Sequence, residues 1–214
     1  VTGVEPRWWR ARLRAVVVVT GGFVLAVIAL GALSPGYRPA AETVSRLGSA
    51  NQPHAWAARV LFVLYGATVL AACPVLGRSV CRWPGQLAGL LAVYATAGLV
   101  AGLAPKDADG VPGTAASQVH VAATIVGGAA LVLAMVQVAR WGWHRLDRAV
   151  AVAAAVGVMV AAVVFRQTWG SSYYGIVERM LLGVALAWVV WLCVRLLRCP
   201  PGALDPPSGA SGRR

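Results

Sequence analysis

The sequence predicts an all-α integral membrane protein, a six-transmembrane-helix bundle with N and C termini cytoplasmic. Three observations predict it. Of 214 residues, 59% are hydrophobic and only 12% charged, and the mean hydropathy is +0.71, far too apolar for a soluble domain of this length. Six apolar runs, separated by short polar or basic connections, each approach the ~20 residues that cross a ~30 Å hydrocarbon core. The basic residues alternate between the connections in the manner of topology signals.

The alternation is read from the residues themselves. Arg7, Arg10, Arg12 and Arg14 precede the first run, and Arg78 and Arg82 lie in the second connection. Arg140, Arg145 and Arg148 lie in the fourth, and Arg195, Arg198, Arg213 and Arg214 close the chain. The opposite side holds Arg38, Arg46, Arg59, Lys106, Arg166 and Arg179. The richer side is expected to face the cytoplasm. A net charge of +12 also raises nucleic acid as a partner. The charges form no continuous patch and do not alternate with stacking aromatics, so no nucleic acid is expected.

Residues 1–14 read as a basic cytoplasmic N-terminus, with Trp8 and Trp9 as interfacial anchors. The first span is expected over 15–33. A cleaved signal peptide is its rival, because Ala29-Leu30-Gly31 resembles a cleavage site, but the run exceeds the usual ~7–15-residue apolar core of such peptides. Residues 34–54 form a polar connection in which AAETVSRLG is expected to make a short interfacial helix. The second span is expected over 56–76, with Arg59 snorkelling to the head groups.

The third span, 85–104, carries Gly85 and Gly89, then Gly98 and Gly102, at a spacing that lets helices approach closely in lipid. These glycines suit either packing inside the bundle or a helix–helix partner. Further spans are expected over 119–139, 149–165 and 177–197, making 15–198 the membrane domain. The tail, 199–214, is rich in Pro, Gly and Ser and is expected to be disordered. The four cysteines, Cys73, Cys81, Cys193 and Cys199, fall near the basic side, where thiols stay reduced, and match no zinc motif.

The polar groups that are not topology charges gather in the other connections, and the chain is organised around one of them, Leu103 to Thr124. Asp107 and Asp109 share one short loop, and His120 lies just inside the next span. Ionisable groups at the ends of spanning helices are functional candidates by default. Two readings of the acids stay open: a solvated turn with Lys106 as counter-ion, or a general acid or base with His120 as partner. Arg166, Glu178 and Arg179 flank the last connection. They read either as an ion pair of Glu178 with Arg166 or as a cationic clamp for a head group. Ser45 adds a hydroxyl, but no nucleophile elbow surrounds it. A zinc site needs three or four ligands, and on this side only His54, His120 and the acids could supply them, so neither a metal nor a cofactor is expected.

Three segments together, LSPGYRPAAETVSRLG, LAPKDADGVPGTAASQVH and YYGIVERMLLG, resemble the bacterial membrane family of domain of unknown function 998. The resemblance covers about residues 15–198 and rests on the joint order of short motifs. It implies a six-helix membrane bundle and carries over Ser45, Asp107, Gly110, His120, Glu178 and Arg179. Arg46 stands where the family pattern usually has an acid, and Ala104 replaces the usual aromatic before Pro105. The family's Ser, Asp and His set is loosely similar to that of ceramidase-like membrane hydrolases.

The expectation is therefore a multi-pass protein of the bacterial plasma membrane with an outward-facing polar site. An excess of arginine over lysine fits a GC-rich bacterial genome. One function class is an enzyme acting on a lipid or isoprenoid, by acid/base hydrolysis or proton-initiated prenyl cyclisation. In it Asp107, Asp109, His120 and Glu178 act on a substrate held by Ser45, Arg166 and Arg179. The other is a non-catalytic bundle that binds membrane lipids or partners a larger membrane complex. Transport ranks last, because no span is clearly broken at mid-membrane.

Overall fold

In a hydrocarbon environment every backbone N–H and C=O must find its partner inside the segment, so long runs of Ala, Val and Leu have one low-energy choice, the α-helix. The computed structural model describes residues 8–78, 83–107, 113–142 and 144–198 and has that character. Its helices are α1 (Trp8–Leu33), α2 (Ala55–Arg78), α3 (Pro84–Leu103), α4 (Ala115–Trp141), α5 (Arg145–Gln167) and α6 (Tyr174–Arg198). All six are long and apolar enough to cross a membrane. The chain is an all-helical, multi-pass membrane protein. Asp109 and Gly110, Cys81 and Cys199, and the tail 199–214 lie outside the described residues.

Where helix ends differ from the expected spans, local chemistry explains it. Helix α1 begins at Trp8, not at Ala15, because Arg and Ala are strong helix formers whether or not they lie in lipid. The arginines then cover their own tryptophans, with Arg10 5.0 Å from the Trp9 ring centroid and Arg12 4.7 Å from that of Trp8. Pro84 opens α3 at a position where its missing N–H costs nothing. Helix α4 starts four residues before the apolar run because Thr114 caps it, accepting the Ser117 N–H. The segment expected as an interfacial helix forms a 3-10 turn, Val44–Gly48, with Val44, Leu47 and Gly48 buried.

The helices pack in chain order, α1 on α2 through to α5 on α6, and α6 closes the ring against α1. Inside lie Val69, Leu91, Leu131, Met135, Trp188, Val189 and Leu192, all buried. Phe23 of α1 meets Phe62 of α2 edge-on at 5.2 Å, and the Tyr65 and Tyr94 hydroxyls pair at 2.9 Å between α2 and α3. Val18, Leu25, Ile28, Ile125, Val160 and Val163 point outward, the pattern expected when lipid is the solvent.

Close approach of α2 and α3 depends on glycine. A Cβ on Gly66 would lie 2.7 Å from the Ala95 carbonyl oxygen, and one on Gly102 2.8 Å from that of Arg59. Gly98 faces Gly66 at 3.7 Å by the same measure. Gly98 and Gly102 thus serve packing inside the chain, whereas positions 85 and 89 have no atom within 4 Å of an added Cβ. At the basic end, Arg195 of α6 donates Nε to the buried Asp147 carboxylate at 3.2 Å. The carboxylate also sits in the first turn of α5, where the helix dipole favours it. Cys73 and Cys193 are buried free thiols.

Candidate functional site

Opposite that basic end, the connections after α1 and α3 share a polar layer with the start of α6. The first follows α1. Ser34 turns its hydroxyl back to the Leu30 carbonyl at 2.7 Å, and Gly36 takes a positive φ of 76° that aims the chain across the bundle end. Glu42 then folds onto its own loop. Its carboxylate accepts the Arg38 N–H at 3.2 Å and lies 3.5 Å from Arg46 Nε. The Tyr37 phenol donates to the Thr43 carbonyl at 2.9 Å.

Helix α6 begins against this loop, and its exposed first-turn donors are met there. Ile176 N–H reaches the Ala40 carbonyl at 3.0 Å. The Glu178 carboxylate accepts the backbone N–H groups of Val44 and Ser45, satisfying the start of the 3-10 turn. Arg179 points back along the helix and donates to the carbonyls of Glu42 at 2.8 Å and Gly175 at 2.9 Å. It also donates to the Pro39 carbonyl and to the Tyr37 hydroxyl. Burial pushes the Tyr37 phenol above its ordinary pKa, and the Arg179 guanidinium pulls it part of the way back. Tyr37 stays a neutral donor at physiological pH.

The second connection follows α3, whose last carbonyls need partners. His120 of α4 supplies one, placing Nδ1 2.9 Å from the Ala101 oxygen and 3.0 Å from the Ala104 oxygen. Both oxygens can only accept, so Nδ1 carries the proton. Arg59 of α2 supplies the other, donating Nε to Gly102 O at 3.1 Å and Nη2 to Leu103 O at 2.8 Å. Beyond the helix, Asp107 accepts the Thr114 N–H at 2.6 Å with one oxygen and the Thr114 hydroxyl at 3.0 Å with the other. Its own N–H donates to Ser117 Oγ at 3.2 Å, closing a ring of Asp107, Thr114 and Ser117 at the start of α4.

The residues singled out in the sequence thus gather at one end but do not form one constellation. His120 is held by carbonyls of α3, and the expected pairing with an acid gives way to that bond, since both Asp107 oxygens face Thr114. Arg166, in the last turn of α5, is exposed, while Glu178 is taken by Val44 and Ser45 instead. Arg179 donates to the first loop at Pro39, Glu42 and Tyr37 and to its own helix at Gly175. Ser45 lies at the centre, its hydroxyl donating to Thr43 Oγ1 at 3.1 Å.

Lys106 joins the two connections, with Nζ 3.4 Å from the same Thr43 oxygen and its charge acting on Glu178. The sequence offered Lys106 only as a counter-ion, and Tyr37, Thr43, Thr114 and Asp147 not at all. A Thr or Tyr in a loop carries no periodic signal. Among the described residues, no group of three or more His, Cys, Asp and Glu is placed to hold a metal ion.

The ring at α4 allows a direct test of Asp107. Asp107→Ala is expected to lower stability by about 1 kcal/mol, the typical worth of a helix cap, read as thermal unfolding in detergent micelles. Asp107→Asn keeps an acceptor for Thr114 and is expected to lose less than half of that. An Asn variant as unstable as the Ala variant would show that the ring does not stabilise the helix start.

Among curated proteins and among solved structures, nothing matches this chain. A protein-family model does match, described as Protein of unknown function (DUF998), over residues 8–195. That range takes in all but the last three residues of the bundle, with every motif discussed above, so the chain belongs to the DUF998 family.

Proposed function

We propose that the chain is a plasma-membrane protein, its basic end cytoplasmic, that binds an amphipathic lipid-like molecule at the polar end of its bundle. The head group meets the Lys106 ammonium and the Ser45 hydroxyl, both held by the buried Thr43, and the acyl or prenyl tail lies along the adjoining spans. One observation carries this reading: Lys106 and Ser45, from different connections, converge on a single buried hydroxyl, Thr43, beside the Glu178 carboxylate. A cation and hydroxyls at head-group depth match the phosphate or hydroxyl end of a lipid, with charge-assisted bonds as the stronger part. Asp107, His120, Arg59 and Arg179 frame the site.

A second reading, catalysis on the same ligand class, draws support from the same place. Ser45 Oγ, Thr43 Oγ1 and Lys106 Nζ form a line of exchangeable protons next to a carboxylate, the inventory of acid/base hydrolysis. In it Glu178 is the carboxylate beside Thr43 and Lys106, while Asp107 lies at the start of α4 on Thr114. Lipids carried through purification test binding: Lys106→Gln is expected to lose a species that the unaltered chain retains, and equal retention overturns the proposal. Lipid and isoprenoid profiles of cells lacking the gene, complemented with either form, separate the two readings. Catalysis requires a species that accumulates in the deletion and persists with Lys106→Gln.

A further inference from the structure

A second feature lies at the opposite, basic end of the bundle, between α3 and α4. A groove of about 300 Å³ opens there, at the lower end of the ~300–1,000 Å³ typical of ligand sites. Its apolar wall is Leu90 of α3 with Leu133 and Val136 of α4, and its rim is Gln86, Arg140 and Trp141. The buried Gln137 also lines it and ties the two helices together, donating Nε2 to the Trp83 carbonyl at 2.8 Å. The rim residues stand in the first turn of α3 and the last turn of α4. In a bundle that spans the bilayer, they therefore sit at head-group depth while the leucines and valine lie deeper.

The rim is cationic. Arg140 is exposed and, among the described residues, meets only the Trp141 ring, its guanidinium 6.0 Å from the centroid. No described carboxylate neutralises it. Its nearest acid in sequence, Asp147, is occupied by Arg195 on the neighbouring helices. Arg145 and Arg148 of α5 follow in the next turns of chain and add to the positive field. An apolar channel below, an unneutralised guanidinium above and an amphipathic indole at the rim match one kind of molecule in polarity from end to end. It has a hydrocarbon tail and an anionic head.

We infer that the α3–α4 groove is a binding site for an anionic phospholipid of the leaflet on the basic side. One acyl chain lies against Leu90, Leu133 and Val136, and the phosphate is held by Arg140 with Gln86. Guanidinium suits this role because its planar fork meets two phosphate oxygens at once. The site is separate from the polar end, and it stands whether or not a ligand binds there.

The test is native mass spectrometry of the full chain exchanged from detergent into mixed phosphatidylglycerol and phosphatidylcholine. The unaltered protein is expected to retain phosphatidylglycerol preferentially. Arg140→Gln is expected to reduce that preference about fivefold, the equivalent of ~1 kcal/mol per basic residue at the membrane surface. Leu133→Trp fills the groove from an exposed position and is expected to lower retention of the lipid with the head group left intact. Arg38→Gln, which removes an exposed cation at the other end, is expected to leave the preference unchanged. Equal retention of both lipids, a preference that survives both groove substitutions, or one abolished by Arg38→Gln instead would overturn the assignment.

Discussion

Replacing Arg179 with alanine is expected to release residues 34–54 from α6 while leaving the six helices in place. The guanidinium donates to three carbonyls and a phenol, so it holds the loop at Pro39, Glu42 and Tyr37 while bonding its own helix at Gly175. Hydrogen bonds to a charged group contribute ~1.5–3 kcal/mol each when broken singly, and they are not additive. A total of about 3 kcal/mol is the reasonable scale, because water refills the partly exposed position.

Local opening of that size raises the open population about a hundredfold, which limited trypsin digestion reads as faster cleavage after Arg46. Arg179→Lys is expected to resemble Ala more than Arg, since a single ammonium cannot reach four acceptors arranged around a planar fork. Cleavage as slow as in the unaltered chain would mean that the loop is held by Glu178 and packing alone.

The second large effect is expected at Gly175, one turn earlier on the same helix. A methyl group there would meet three backbone atoms: the Glu42 carbonyl oxygen, the Pro39 oxygen at 2.5 Å and the Glu42 nitrogen at 2.8 Å. Backbone cannot rotate away as a side chain does, so helix and loop must separate. Alanine gains ~1 kcal/mol over glycine in helix propensity, but overpacking costs ~1–3 kcal/mol and more when main chain must move. The clash wins, and Gly175→Ala is expected to destabilise by about 2 kcal/mol net. Gly183→Ala, on the same helix with no atom within 4 Å of an added Cβ, is expected to be neutral or slightly stabilising. Thermal unfolding of the two variants in one detergent compares them directly. Equal melting temperatures would show that α6 does not need the close approach at Gly175.

The architecture was legible because lipid removes choices. Apolar runs of spanning length must be helices, and short connections make neighbours antiparallel, so composition and spacing suffice for the six spans. Helix ends were less legible, since α1 and α4 extend beyond their apolar runs on propensity and on a threonine cap that hydropathy does not register. At the polar end the sequence picked out Ser45, Asp107, His120, Glu178 and Arg179 as residues that matter, and the structure gathers them at one end. Their individual partners were hidden because most are backbone atoms. Carbonyls of α3 hold His120, carbonyls of the first loop hold Arg179, and amides of the 3-10 turn hold Glu178. Every residue carries such groups, so no residue type announces them. Lys106 is a related case: its neighbour Asp107 suggests a local counter-ion, and the fold also brings the lysine to Thr43, 63 positions away, which no local pattern announces.

The bond from the Val44 amide to Glu178 joins residues 134 positions apart, and this span has a consequence for how the protein is made. Ribosomes deliver the chain from its N-terminus, so α1, α2 and the connection between them are inserted long before α6 exists. Through that interval the amides of Val44 and Ser45 and the carbonyls of Pro39 and Ala40 lack their final partners. The first polar loop is therefore synthesised early and finished late, and its assembly reports that the last helix has arrived. A membrane protease that samples exposed loops between Arg38 and Arg46 would distinguish incomplete chains from complete ones by that single segment.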